Sequence, residues 1–200
     1  MTKIKLCGLS RAEDIISANF LLPDYIGFVF CKNSKRYINA EKASELKSLL
    51  DKRISVVGVF CDEPYENINY LINEKIIDIA QLHGNEDNTY IEKINAPTIK
   101  AFNIKNTACI SSAKKSAASY IMLDSGGGTG KSFNHELIEN INRDYFLAGG
   151  LTDKNVGDII KKYKPYAVDA SSSLETNGAK DADKMAAFVC AARNGGKYYD

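Results

Sequence analysis

Eight short apolar runs recur along the 200 residues at a nearly constant step, and that step constrains the fold more than any other feature of the chain. The runs are KIKLC from Lys3, YIGFVF from Tyr25, ISVVGVF from Ile54, IIDIAQL from Ile76, PTIKAF from Pro97, YIMLD from Tyr120, YFLAGG from Tyr145 and YAVDAS from Tyr166. Their starts lie 21 to 29 residues apart, which is the room that one strand, one crossover helix and two short loops occupy. Most runs are continuously apolar instead of alternating, as parallel strands covered on both faces are. Between them, RAEDIISANFLL, NAEKASELKSLLDK, YENINYLINE, TDKNVGDIIKKY and DADKMAAFVCAARN carry apolar residues at helical spacing with polar outer faces. Ser10, Asn39 and Thr152 stand at N-cap positions, and Ser10 with Glu13 forms a capping box. The weakest unit is the fifth, where NTACISSAKKSA predicts only a short helix.

Eight strand-helix units exceed the five or six strands of a doubly wound sheet. They predict an α/β chain folded as one closed (β/α)8 TIM barrel over residues 1–200, with 194–200 a frayed tail. In such a barrel the chemistry sits on the loops that leave the C-terminal ends of the strands. Read in order, those ends carry Cys7-Gly8, Arg36, Cys61-Asp62, His83, Lys100-Ala101, Asp124 with a glycine loop, Gly149-Gly150, and Asp169-Ala170-Ser171-Ser172.

Charge narrows the partners. The 26 Lys and Arg against 25 Asp and Glu leave a net +1, so neither a nucleic acid nor a membrane surface is expected as a partner. No apolar run approaches the roughly 18 residues of a membrane helix, and MTKIKLCGLS has no signal-peptide core. Five widely spaced cysteines fit free thiols in a reducing cytoplasm.

The stretch DSGGGTGKS, residues 124–132, looks at first like a nucleotide phosphate loop. That motif requires Gly five residues before Gly130, where Ser125 stands. A glycine loop after the sixth strand reads better as a rim segment beside a ligand.

Seven blocks then carry a specific resemblance. KIKLCGLSRAEDI, GFVFCKNSKRYI, VGVFCDEP, AQLHGNED, LDSGGGTGKSF, LAGGLTDKNV and AVDASSSLE, from Lys3 to about Glu175, resemble in that order the signature of the phosphoribosylanthranilate isomerase family of tryptophan biosynthesis. The resemblance implies an Amadori rearrangement of a small phosphosugar, with no cofactor and no metal because no redox step occurs. It implies Cys7 as general base and Asp124 as general acid. A free Cys titrates near about 8.5 and a free Asp near about 3.9. The base therefore needs a field that favours thiolate, and the acid needs desolvation or a nearby negative charge.

By the same resemblance Arg36 grips the anthranilate carboxylate, which a planar guanidinium fork suits. His83 and Asp169 contact the substrate, Asp169 through a sugar hydroxyl. The phosphate is expected on backbone N–H groups at Gly149, Gly150, Ala170, Ser171 and Ser172, with Gly127 and Gly128 closing over it. The assembly is expected to be a monomer or a homodimer.

Three positions depart from the pattern: Ser173 replaces a usual Gly, Asn134-His135 a common Asp-Trp, and Cys31 an aromatic residue. A Ser at a positive-φ turn would be strained. Two rival readings remain open on the residues. Cys7, Cys31, Cys61 and His83 are types that could make a Cys3His zinc site, although no C-x-x-C pair supports one. A phosphosugar-binding barrel without catalysis, or with another substrate, would share the same phosphate loops.

Overall fold

The computed structural model describes residues 1–104, 107–124 and 141–196. Eight strands close into a barrel in chain order: β1 (Lys3–Cys7), β2 (Tyr25–Val29), β3 (Ser55–Phe60), β4 (Ile79–Leu82), β5 (Thr98–Asn103), β6 (Tyr120–Asp124), β7 (Tyr145–Ala148) and β8 (Ala167–Ala170). Every neighbouring pair is parallel, and β1 closes on β8 with Lys5 opposite Asp169. The helices are α1 (Ala12–Leu21), α2 (Ala40–Ser48), α3 (Tyr65–Asn73), α4 (Asn88–Ile91), α5 (Thr107–Lys114), α6 (Val156–Tyr163) and α7 (Ala182–Gly196). The predicted glycine loop and the start of FNHELIENI lie outside the described residues. Among the described residues no helix is long and apolar enough to cross a membrane.

Alternation along each strand separates two apolar layers. One face packs outward under the helices, where Leu6, Ile26, Phe28, Val56 and Leu82 join the largest buried cluster. The other face fills the barrel. Tyr25, Val57, Ile79, Ile99, Met122 and Phe146 form its lower plug, and Tyr25, Tyr120 and Tyr166 link their hydroxyls beneath it at 2.9 and 3.4 Å. Side chains stacked in this way make the interior a packed core rather than a pore. Above the plug, Cys7, Val29 and Val59 form a smaller buried cluster.

The helix ends differ in detail from the sequence expectation. Asn39 caps α2 as expected, its side chain accepting from Lys42 N at 3.0 Å. At α1 the cap is Arg11, and Asp14, not Glu13, accepts from the N–H groups of Ser10 and Arg11 at 2.9 and 3.1 Å. Asp14 can do this because it is buried and fixed by the Arg11 fork. The α6 cap is Asn155, yet Val156 N already donates to Thr152 O at 3.0 Å, so the turn does begin at Thr152. The fifth unit forms a helix of 8 residues, and the fourth, at 4 residues, is the shortest among the described residues.

One element was not anticipated. After β8, a 3-10 turn (Ser172–Leu174) leads into a small hairpin of β9 (Glu175–Thr176) and β10 (Ala179–Lys180). Its turn residues Asn177 and Gly178 both have positive φ, 52° and 81°, as an Asn-Gly hairpin turn requires.

Candidate active site

At the C-terminal ends of the strands the barrel opens into a cavity of about 580 Å3, and both Cys7 and Asp124 line it. Cys7 ends β1 and is buried. It sits in register with Gly27 of β2, where a Cβ would fall 2.7 Å from the Cys7 sulfur. Only glycine at that position leaves room for the thiol.

Lys5, two residues earlier on the same face of β1, explains much of the local electrostatics. Its side chain is fully buried, its Nζ lies 2.8 Å from Asp169 Oδ1, and it interacts electrostatically with Cys7. Burial opposes the ammonium, but Asp169 and Cys7 outweigh it and hold Lys5 above the usual lysine range. Burial pushes the Cys7 thiol up; Lys5 and Lys180 pull against that shift, while Asp169 adds to it. The cationic field demanded by a thiolate base is therefore present, but burial outweighs it.

Asp124 ends β6, with its side chain 17% exposed and its Oδ2 3.8 Å from His83 Nε2. His83 follows β4, held by a backbone bond to Phe60 O at 2.8 Å, and its Nδ1 lies 3.4 Å from Gln81 Nε2. Gln81 lines the cavity from a buried position, and its Oε1 is the buried side-chain polar atom left without a partner among the described residues. Asp169 is raised first by burial, with Asp124 adding to the shift and Lys5 opposing it.

Arg36 reaches the cavity wall, but its fork is engaged. Nε and Nη2 donate to Glu175 at 2.5 and 2.9 Å, and Lys180 Nζ donates to the same carboxylate at 2.6 Å. Burial works to raise Glu175, yet Arg36 and Lys180 overcome it and hold the carboxyl below its ordinary range. Lys180 also donates to Ser171 O at 2.9 Å, and Ser171 Oγ donates to Cys7 O at 3.0 Å. The hairpin thus ties the Arg36 loop, the β8 loop and the end of β1 together.

Gly149 and Gly150, with φ 92° and 64°, expose backbone after β7 in a conformation that L side chains resist. Together with Ala170, Ser171 and Ser172 they form one side of the cavity. Gly127 and Gly128, like Asn134 and His135, lie outside the described residues. Ser173 belongs to the 3-10 turn and is not among the positive-φ residues, so the expected strain is absent there.

Lys100, expected at the rim, instead lies within β5 with its side chain outside the barrel interior. It pairs with buried Glu86 at 2.9 Å and donates to Gly84 O at 2.7 Å, bracing the loop that carries His83. Cys31 and Cys61 face each other at 2.7 Å between their sulfurs. Among the described residues no group of three or more His, Cys, Asp or Glu has a metal-holding arrangement, so the cysteines and His83 do not form the Cys3His constellation.

The family model described as N-(5'phosphoribosyl)anthranilate (PRA) isomerase matches residues 4–191. The N-(5'-phosphoribosyl)anthranilate isomerase of Thermoanaerobacter sp. (strain X514) is 45% identical over 197 residues, covering 94% of this chain and 97% of the relative. The crystal structure of phosphoribosyl anthranilate isomerase from Thermotoga maritima superposes with a TM-score of 0.89 at 33% identity, covering 96% of this chain and 99% of that one. A phosphoribosyl anthranilate isomerase solved with reduced 1-(o-carboxyphenylamino)-1-deoxyribulose 5-phosphate superposes with a TM-score of 0.86 at 32% identity, covering 96% and 99%. A barrel closed in chain order, a thiol and a carboxyl on one cavity, and a match along nearly the whole chain agree: this protein belongs to the N-(5'-phosphoribosyl)anthranilate isomerase family.

Proposed function

We propose that the protein converts N-(5-phosphoribosyl)anthranilate to 1-(2-carboxyphenylamino)-1-deoxyribulose 5-phosphate in tryptophan biosynthesis, with Asp124 as general acid and Cys7 as general base. The observation that carries this assignment is that these two groups, from opposite parts of the chain, line one cavity. Asp124 gives its proton to the ring oxygen as the C1–O bond breaks, and the nitrogen lone pair forms C1=N. Cys7 then takes the C2 proton, and the C–H electrons form the C1=C2 bond of the enolamine. Ketonisation at C2, with a proton returned to C1, gives the product.

Lys5 acts through Cys7, as a positioning cation on the side away from the cavity mouth. Lys180 and Arg36 also feel charge on the Cys7 sulfur, so three cations face the developing thiolate. Arg36 offers its remaining guanidinium edge to the anthranilate carboxylate, since Glu175 takes the Nε–Nη2 side. Asp169 and Gln81 Oε1 supply acceptors for sugar hydroxyls, and His83 orients Asp124. The loops at Gly149–Gly150 and Ala170–Ser172 supply N–H groups for the phosphate. We read residues 1–200 as one barrel domain, cytoplasmic, and active as a monomer or homodimer.

A fluorescence assay following loss of phosphoribosylanthranilate tests the assignment. Cys7→Ala and Asp124→Ala should each lower kcat by several orders of magnitude with the fold intact. Near-wild-type turnover in either variant would overturn the corresponding role.

A further inference from the structure

The cavity rim carries a pair of sulfurs that the isomerisation does not use. Cys31 and Cys61 lie two residues beyond Val29 and Val59, which are in register on β2 and β3. Strand pairing continues past that point through Phe30 N to Val59 O at 2.9 Å. With a side-chain period of two, both cysteines point to the same face as Val29 and Val59. On the opposite face Phe30 and Phe60 stack with ring centroids 5.1 Å apart, holding the two strand ends in register.

Neighbouring strands run about 4.8 Å apart, inside the Cα separation of about 4.4–6.8 Å that a disulfide spans. The sulfurs are 2.7 Å apart, and Cys61 is exposed while Cys31 is partly buried against Cys7, Val29 and Val59.

We propose that Cys31 and Cys61 form a redox-active dithiol at the mouth of the cavity, which small-molecule disulfides convert to an intrachain disulfide. Exposed Cys61 is the entry point. Its thiolate attacks one sulfur of R–S–S–R, the S–S bond breaks, and RS⁻ leaves and takes up a proton. Cys31 then gives up its proton and attacks Cys61 Sγ, expelling the second RS⁻. Two protein S–H bonds become one S–S bond, and the oxidant is reduced to two RSH. Burial and the neighbouring Cys61 hold the Cys31 thiol well above the ordinary range, so the first attack falls to exposed Cys61, and the short distance between the sulfurs favours the second step. Cys7, shielded below the rim, is left as a thiol. The loop that begins at Cys31 carries Arg36, so the bond would tether the base of that loop to the end of β3.

The test is intact mass, denatured thiol titration and peptide mapping of the full-length protein after incubation with oxidised glutathione. The expected result is a loss of two hydrogens, a fall in free thiols from five to three, and a Cys31–Cys61 cross-linked peptide. Cys61→Ser should abolish the cross-link, and dithiothreitol should reverse it. A stable glutathione adduct on Cys61 with no cross-link would overturn the proposal. So would a cross-link or adduct that involves Cys7, or no change in mass at an oxidant level that fully modifies a denatured control.

Discussion

Replacing Lys5 with Met removes the buried cation from between Asp169 and Cys7, and two consequences can be sized. Asp169 is left as a buried carboxylate with its 2.8 Å partner gone, and breaking a buried ion pair from one side costs about 3–5 kcal/mol. The Cys7 thiolate also loses a stabilising charge. A unit pair about 4 Å apart in an effective dielectric of about 20 is worth about 4 kcal/mol. At about 1.36 kcal/mol per pK unit this is an upper bound of about 3 units, since Lys180 and Arg36 remain nearby. The readout is kcat/KM against pH. A base works deprotonated, so activity rises with pH through the Cys7 titration, and Lys5→Met should move that rising limb to higher pH. Asp169 pushes Cys7 the other way, so Asp169→Asn should move the limb to lower pH, and the double variant should fall between the two. Urea unfolding separates stability from catalysis: the double variant should recover much of what Lys5→Met loses, because neither charge is then buried alone. The reasoning is refuted if folded Lys5→Met keeps the wild-type limb. If that variant does not fold, Asp169→Asn carries the test alone, and an unmoved limb refutes the field argument equally.

Other outcomes follow from single contacts. Gly27→Ala places a Cβ 2.7 Å from the Cys7 sulfur and should lower kcat far more than it lowers the unfolding midpoint; unchanged kcat would contradict the packing argument. Arg36→Met should raise KM more than it lowers kcat, and an unchanged KM would remove Arg36 from carboxylate binding. Glu175 has a folded pKa depressed below its ordinary value of 4.5, so its contribution is present above that value and lost as pH falls through the folded pKa. The acid limb of unfolding stability should therefore be shallower in Glu175→Gln, and identical limbs would show that the clamp contributes nothing. Lys100→Met leaves Glu86 buried without its cation and should cost about 3–5 kcal/mol in urea unfolding; a loss below about 1 kcal/mol would fall within what an exposed pair contributes.

The barrel was legible because each strand is a compact apolar run and each crossover has a similar length, so both signals survive without any tertiary information. The rim was legible for the same reason, since strand ends locate Cys7, His83, Asp124 and Asp169. Lys5 was overlooked although the alternation in KIKLC puts it on the Cys7 face; a lysine inside a strand reads as solvent-facing until its buried carboxylate is known. The hairpin holding Glu175 and Lys180 also left a trace, the Asn177-Gly178 pair, but four strand residues are too few to show a period. Lys100 fell on the wrong side of the sheet because β5 runs on to Asn103, and strand ends are set by pairing with neighbours rather than by local sequence. The caps at α1 and α6 shifted for a similar reason. Asp14 competes with Glu13 through its burial and the Arg11 fork, neither of which is visible in the spacing.

In the proposed mechanism a sulfur and a carboxyl act on one sugar from two sides. A crystal structure of this protein with reduced 1-(o-carboxyphenylamino)-1-deoxyribulose 5-phosphate measures that directly. Cys7 Sγ should approach C2 of the ribulose chain while Asp124 reaches the oxygen released from the ring, with the phosphate on the Gly149–Gly150 and Ser171–Ser172 backbone. A ligand seated in the cavity with C2 out of reach of Cys7 would contradict the mechanism.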